Sequence, residues 1–162
     1  MSNCYVCKGK STVKHLDREI CKSCFIKIIE SRIRKQLTKK FEKNDTIFTE
    51  SNLSKNILKK ILKDFPINFV DDKNEATHII NTQTASDIAD EFVTKLTSNT
   101  FDILANNDIS LFATVTDEEI SQYAKLTNQE FIPKKKISSK FFAKLDKYKE
   151  IEYNLSRNVQ EL

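Results

Sequence analysis

One glycine and two prolines in 162 residues leave this chain almost without the residues that punctuate most folds. Glycine-rich loops bind nucleotides because backbone N–H groups can approach phosphate with no side chain in the way. A chain with a single glycine can build no such cradle. Tryptophan is absent, and no apolar run is long enough to cross a bilayer, so no membrane span is expected. The two histidines, His15 and His78, fall in unrelated stretches, and no serine–histidine–aspartate set can be argued around them. Charge is plentiful but unevenly placed. Residues 1–63 carry 16 Lys+Arg against 6 Asp+Glu, residues 64–132 carry 3 against 13, and residues 133–162 carry 8 against 4. The chain is therefore basic, then acidic, then basic again.

All four cysteines lie in the first 24 residues, as two CxxC pairs, Cys4/Cys7 and Cys21/Cys24. Four thiolates at that spacing can close a tetrahedron round one Zn²⁺ and leave no open position for catalysis. An iron–sulfur cluster takes the same four ligands and stays open as the alternative. A thioredoxin-type redox pair would follow a strand in a βαβ unit, and disulfides would suit a secreted chain, whereas no signal peptide precedes Cys4. With no spare thiol, a reducing, cytoplasmic setting is expected. Gly9 stands where a metal knuckle turns back and a positive φ is most useful. Residues 10–16 and 18–20 read as a tight β-hairpin, with His15 on its surface. The second CxxC opens a helix in which Phe25, Ile26, Ile29, Ile33 and Leu37 recur at helical spacing. Knuckle, hairpin and helix together predict a treble-clef-like zinc module over residues 1–41.

On that helix, Lys22, Lys27, Arg32, Arg34, Lys35, Lys39 and Lys40 can line the solvent side while the isoleucines face inward. Such a stripe suits nucleic-acid phosphates. The plainer reading is that these side chains only solvate an exposed helix.

Beyond a polar hinge at 42–45, residues 45–162 show a compact α/β pattern. Thr46–Thr49 reads as a strand, Ser51 as the cap of a helix bearing Leu53, Ile57, Leu58, Ile61 and Leu62, and Pro66 as its stop. Ile67–Val70 and Ala76–Asn81 are two more strands. Thr84 with Asp87, and Thr116 with Glu119, form capping boxes. They open helices faced by Ile88, Phe92, Val93 and Leu96, and by Ile120 and Tyr123. Ser138 caps a last helical run with Phe141, Phe142, Leu145 and Tyr148. Strands alternating with helices argue for a parallel sheet covered by helices.

This order of elements resembles the ATP-pyrophosphatase-type tRNA 2-thiolation proteins. CxxCF running into a basic helix and then a strand–loop–helix is similar to their N-terminus. The stretch HIINTQTASDIADEFVTKLTSN from His78 resembles their strand followed by an LDDxAExxLxNLxxG-like helix, with Asp87 at the second acidic position. DEEISQYAKLTNQEF from Asp117 is similar to their PEKEVxxYAxLxGIxF helix and strand, matching at Glu119, Tyr123 and Ala124. The closing FFAKLDKYKEIEYNLSRNVQEL resembles their final helices. The likeness implies a small, trimmed ATP-pyrophosphatase-like α/β domain behind the zinc module.

The departures from that pattern carry the functional expectation. Where the family has its SGGxDS phosphate loop, this chain has Thr49, Glu50, Ser51, Asn52, Leu53 and Ser54. Both glycines are gone, and Glu50 would repel phosphate. The family's active-site cysteines beyond the zinc module are absent too. The resemblance therefore implies a non-catalytic member, comparable to the second subunit of the cytosolic tRNA 2-thiolation complex. Such a chain would bind tRNA and form a heterodimer with a catalytic paralogue, a homodimer being the runner-up. A free-standing zinc-containing nucleic-acid-binding or regulatory protein is the competing class. Residues 101–116, rich in apolar side chains without amphipathic order, are expected to stay partly exposed and, with the helix at 117–127, to contribute to the partner contact.

Overall fold

The computed structural model describes residues 2–38, 40–98 and 108–136, together with 154 and 157. Lys39, residues 101–107 and the Ser138-capped run with the tail beyond it lie outside this described set, apart from 154 and 157. No described helix is long and apolar enough to cross a membrane.

The chain starts with a knuckle and a short hairpin, β1 (Val13–His15) and β2 (Arg18–Ile20), antiparallel with Val13 opposite Ile20. Leu16 and Asp17 both take positive φ, 47° and 62°, as a two-residue hairpin turn matched to strand twist requires. The knuckle itself corrects an expectation. Lys8 takes the left-handed conformation at φ 64°, and Gly9 does not. The turn closes when Lys8 N–H donates to Cys4 O (2.9 Å) and Cys4 N–H donates to Gly9 O (2.7 Å). Helix α1 (Lys22–Leu37) follows, with Cys21 as its extended N-cap residue.

A four-stranded, wholly parallel sheet comes next, in the order β4-β3-β5-β6. Its elements are β3 (Thr46–Phe48), α2 (Asn52–Ile61), β4 (Asn68–Phe69), β5 (His78–Thr84), α3 (Ala85–Ser98), β6 (Ile109–Phe112) and α4 (Asp117–Leu126). Ser51 caps α2, its hydroxyl accepting from Ser54 N–H. The Thr84/Asp87 and Thr116/Glu119 boxes form reciprocally, as their spacing predicts. Several boundaries move. Helix α2 ends at Ile61, short of Pro66, because the chain has already turned at 62–65. β4 is only two residues long, β5 runs three residues beyond Asn81, and residues 129–131 form no strand. In α3 the buried residues are Ala85, Ser86 and Ala89, while the expected face at Ile88, Phe92 and Val93 is half-buried and Leu96 is exposed.

The apolar stretch before α4 is the plainest correction. Ile109, Leu111, Phe112, Ala113 and Val115 are all buried. It reads as unpatterned because β6, though at the edge of the described sheet, is covered on both faces and has no polar alternation to show. Their side chains belong to the core and are not exposed as expected, while residues 101–107 of the stretch lie outside the described residues.

One apolar cluster unites module and sheet. Phe25, Ile29, Ile33 and Leu37 of α1 join Ile47, Ile57, Leu58, Ile80, Leu111, Phe112, Ile120 and Tyr123. The polar hinge is tied down too, since Asp45 accepts from Glu42 N–H (2.6 Å) and pairs with His78 (2.9 Å). The Glu42 N–H contact leads in holding the Asp45 carboxyl below its ordinary value.

At the centre of the seam is Glu119, and it overturns two expectations. His15 is buried, and its Nε2 lies 2.7 Å from Glu119 Oε1. Arg32 turns inward and donates from Nη1 to the same oxygen at 2.7 Å, so it is not a free phosphate ligand. Glu119 Oε2 accepts from Thr116 N–H at 3.0 Å. Burial alone would raise this carboxyl, but the His15 contact, the Arg32 charge and the Thr116 N–H outweigh it and hold it below the usual range.

Glu119→Ala removes a buried anion from two cationic or polar partners and breaks the α4 box. It should lower unfolding free energy by about 3 kcal/mol. The folded pKa lies below the unfolded value of about 4.3. The advantage of wild type over Glu119→Gln is therefore full above that pH and disappears as pH falls through the lower folded value. Urea midpoints of both proteins across pH 3–7 check the sign, and a difference that grows on acidification would contradict it.

Candidate metal centre and nucleic-acid face

The Cys4, Cys7, Cys21 and Cys24 sulfurs all lie within 4.8 Å of one another. Cys7 and Cys21 sulfurs are 3.6 Å apart. Four metal–sulfur bonds of about 2.3 Å round one tetrahedral ion put neighbouring sulfurs about 3.8 Å apart. The set therefore fits a single ion. A four-iron cube would interpose its own edges and hold its terminal thiolates farther apart. Cys4 is buried, the others are half-buried or exposed, and Cys21 and Cys24 sit at the N-terminus of α1, where the helix dipole favours thiolate.

The thiols differ in proton affinity. For Cys4, burial works upward, but backbone N–H groups of Cys7, Cys21 and Val6 point at the sulfur and bring it down to about 6. Cys24 is pushed up to about 12, first by its contact with Cys21, then by burial and the remaining thiols. Four sulfurs this close cannot all ionise without a cation among them.

Of the basic stripe, Lys22, Lys27, Arg34, Lys35 and Lys40 are exposed, Arg32 is spent on Glu119, and Lys39 lies outside the described residues. Lys27 and Arg34 are seven residues apart and so share one side of α1, away from the buried Phe25–Ile29–Ile33 row. The inward side is held by polar anchors as well. Tyr123 OH donates to Glu30 Oε1 (2.8 Å), Lys60 pairs with the same oxygen (2.5 Å), and Thr114 Oγ1 donates to Gln36 Oε1 (3.2 Å). Burial, then Glu30, raises the Tyr123 phenol well above its ordinary value.

The Thr49–Ser54 stretch joins β3 to α2 at the carboxyl end of the sheet. There the strand order reverses, since β3 connects outward to β4 and then back to β5. Open α/β sheets place ligands at this point. Here the loop serves itself. Ser51 N–H lies 3.4 Å from Thr49 Oγ1, the Ser51 hydroxyl takes Ser54 N–H, Leu53 and Ser54 are buried, and Glu50 is exposed.

Beside it, at the ends of β5 and β6, is a cluster that no spacing in the sequence announces. Lys136 pairs with Asp87 and, at 3.0 Å, with Asp117, the leading residues of α3 and α4. Thr84 Oγ1 donates to Asp117 Oδ1 (2.5 Å), and Asp117 N–H donates to Ser86 Oγ (3.0 Å). Burial would lower the Lys136 ammonium, but the two carboxylates outweigh it and raise it. The capping boxes flagged both helix starts. The lysine is distant in sequence and had no signal.

A cluster of four cysteines whose helix packs into a parallel, helix-covered sheet, with a capped loop at the reversal of strand order, defines the class. It is an α/β fold, a parallel sheet covered by helices, with an N-terminal cluster of four cysteines. Among solved structures, the U34-tRNA thiolase NcsA from Methanococcus maripaludis, determined with its [4Fe-4S] cluster, is similar to it. The TM-score is 0.71 at 12% identity, covering 98% of this chain and 86% of that one. At that identity the likeness establishes the fold. No family model matches the chain, and no curated protein matches it.

Loading the centre should release protons at neutral pH, Cys24 among their sources, and metal affinity should fall as pH falls. Metal analysis should give one ion per chain, and Cys21→Ser should lose both the ion and the hairpin fold. Calorimetry in buffers of different ionisation enthalpy reads the proton count. Buffer-independent heats would contradict the release.

Proposed function

We propose that this chain is a non-catalytic subunit of a tRNA wobble-uridine 2-thiolation complex, holding tRNA and a catalytic paralogue. The observation that carries this reading is the loop at 49–54. The chain keeps a thiolase-like fold, yet at the phosphate-binding position it places a self-capped serine turn beside Glu50. Such a turn offers an incoming pyrophosphate no glycine cradle and an adverse charge. The absence of any cysteine outside the metal centre supports the same reading, since no thiol is left to carry sulfur.

In this reading the centre holds structural Zn²⁺, which suits four thiolates round a single ion and no open position. Lys27, Arg34 and Lys35 on the outer side of α1, with Lys40 just past its end, contact tRNA phosphates. The complex is cytoplasmic, and a heterodimer with the paralogue is favoured over a homodimer. A free-standing zinc-containing nucleic-acid-binding protein is the second reading, favoured by the fact that the basic face of α1 needs no partner to be presented.

Affinity purification of the tagged chain separates the two. Recovery of a paralogue bearing SGGxDS together with tRNA is expected, and a monomer that ignores the co-expressed paralogue would sink the heterodimer. Calorimetry with Mg·ATP should show no saturable binding to the isolated chain. Reversing these four charges to Glu should weaken tRNA binding and reduce the log–log salt slope by roughly one unit per lost phosphate contact. An unchanged slope would return these side chains to plain solvation.

A further inference from the structure

We propose that the tip of the metal module is a stacking platform for an unpaired RNA base, built from the Tyr5 ring and the Arg18 guanidinium. The proposal rests on the RNA reading above and goes beyond it by assigning base contact to residues outside α1.

The geometry starts from the knuckle. Between Cys4 and Cys7 the thiols converge on one another, and the two intervening side chains, Tyr5 and Val6, are left exposed at 36% and 50%. Tyr5 N–H donates to Glu19 O at 2.9 Å, which fixes its backbone against β2. Arg18 opens that strand, is itself exposed, and sets its guanidinium carbon 5.6 Å from the Tyr5 ring centroid. A planar aromatic and a planar cation are thus held together at the surface, and neither belongs to the core cluster. Leu16 adds to the feature. It is 45% exposed at a turn position with φ 47°, where Asn or Gly would sit without strain.

Charge decides the kind of partner. Lys8 and Lys10 of the knuckle and Lys22 at the start of α1 are exposed, while the nearby Asp17 is paired with Lys14 at 3.4 Å. The surroundings favour a polyanion. Lysines alone would suit an acidic peptide equally well, but the ring–guanidinium pair matches the face of a nucleobase, which stacks on aromatic rings and arginine planes. Paired bases hide those faces in a duplex, so the site selects unpaired ones. Metal ligation on both sides of Tyr5 makes the platform rigid, which limits the ordering cost of binding.

The test uses the full-length, metal-loaded protein. Fluorescence anisotropy measures its affinity for a labelled single-stranded RNA dodecamer and for the same strand in a duplex, over a range of salt. Tyr5→Leu and Arg18→Lys should each weaken single-strand binding about tenfold. They should leave duplex binding and the salt slope unchanged. Tyr5→Phe should behave as wild type, because the ring and not the hydroxyl stacks. Metal content equal to wild type certifies the fold of each variant. The platform is overturned, with the RNA reading intact, if Tyr5→Leu binds the single strand as wild type does or loses both forms equally. A wild type that binds neither RNA overturns both.

Discussion

Helix α1 is fixed at both ends of its role by incompatible demands, and the rest of the molecule follows from how they are met. Its first turn must present Cys21 and Cys24 to a metal, while Phe25, Ile29, Ile33 and Leu37 must reach the core of the sheet domain. Both are satisfied only if the metal module lies directly on the α/β layer. The seam so created has to absorb polar groups, and Glu119 does this by collecting His15, Arg32 and its own helix's N–H donor. A carboxylate enclosed in this way is tolerable only with all its partners present. Metal ligation, apolar burial and one buried ion cluster therefore act on the same rod. What remains for solvent is the strip carrying Lys27, Arg34 and Lys35.

Features governed by local chemistry were legible in the sequence. The two CxxC pairs, the Ser51 cap, both threonine capping boxes and the parallel α/β alternation are set by neighbours within a few residues, and each is found where spacing puts it. What could not be read depends on residues far apart in the chain. His15 looked like a surface residue because Glu119, its reason for burial, is 104 positions away. Arg32 looked like part of a basic stripe because helical spacing places it near the surface and says nothing of a carboxylate on α4. Lys136 has the same origin. The 109–115 strand failed for a different reason, since burial on both faces erases the period that pattern reading relies on. Gly9 was a near miss of another kind, for the left-handed position is Lys8, and residue type alone cannot place a turn to the residue.

The acidic middle of the chain takes on a different meaning once its side chains are placed. Several of its carboxylates are used internally. Asp87 and Glu119 close capping boxes, Asp72 caps the 3-10 turn at Lys73–Glu75, Asp117 pairs with Lys136, and Glu91 pairs with Lys95. Carboxylates at helix starts complement the dipole, so α/β units with short loops accumulate them at the carboxyl end of the sheet. In a nucleotide enzyme of this architecture those helix starts are kept available to phosphate. Here α3 and α4 carry their own anions in the first turn, Lys136 bridges the pair and leaves one negative charge, and α2 is capped by Ser51 next to Glu50. Lys134 and Lys135 stay exposed next to Lys136, while the knuckle and α1 carry the larger set of exposed cations, Lys8, Lys10, Lys22, Lys27, Arg34 and Lys35. In the proposed reading these helix-start anions act beside the missing glycines, because a phosphate approaching the switch point would meet carboxylates where helix N-termini would otherwise receive it.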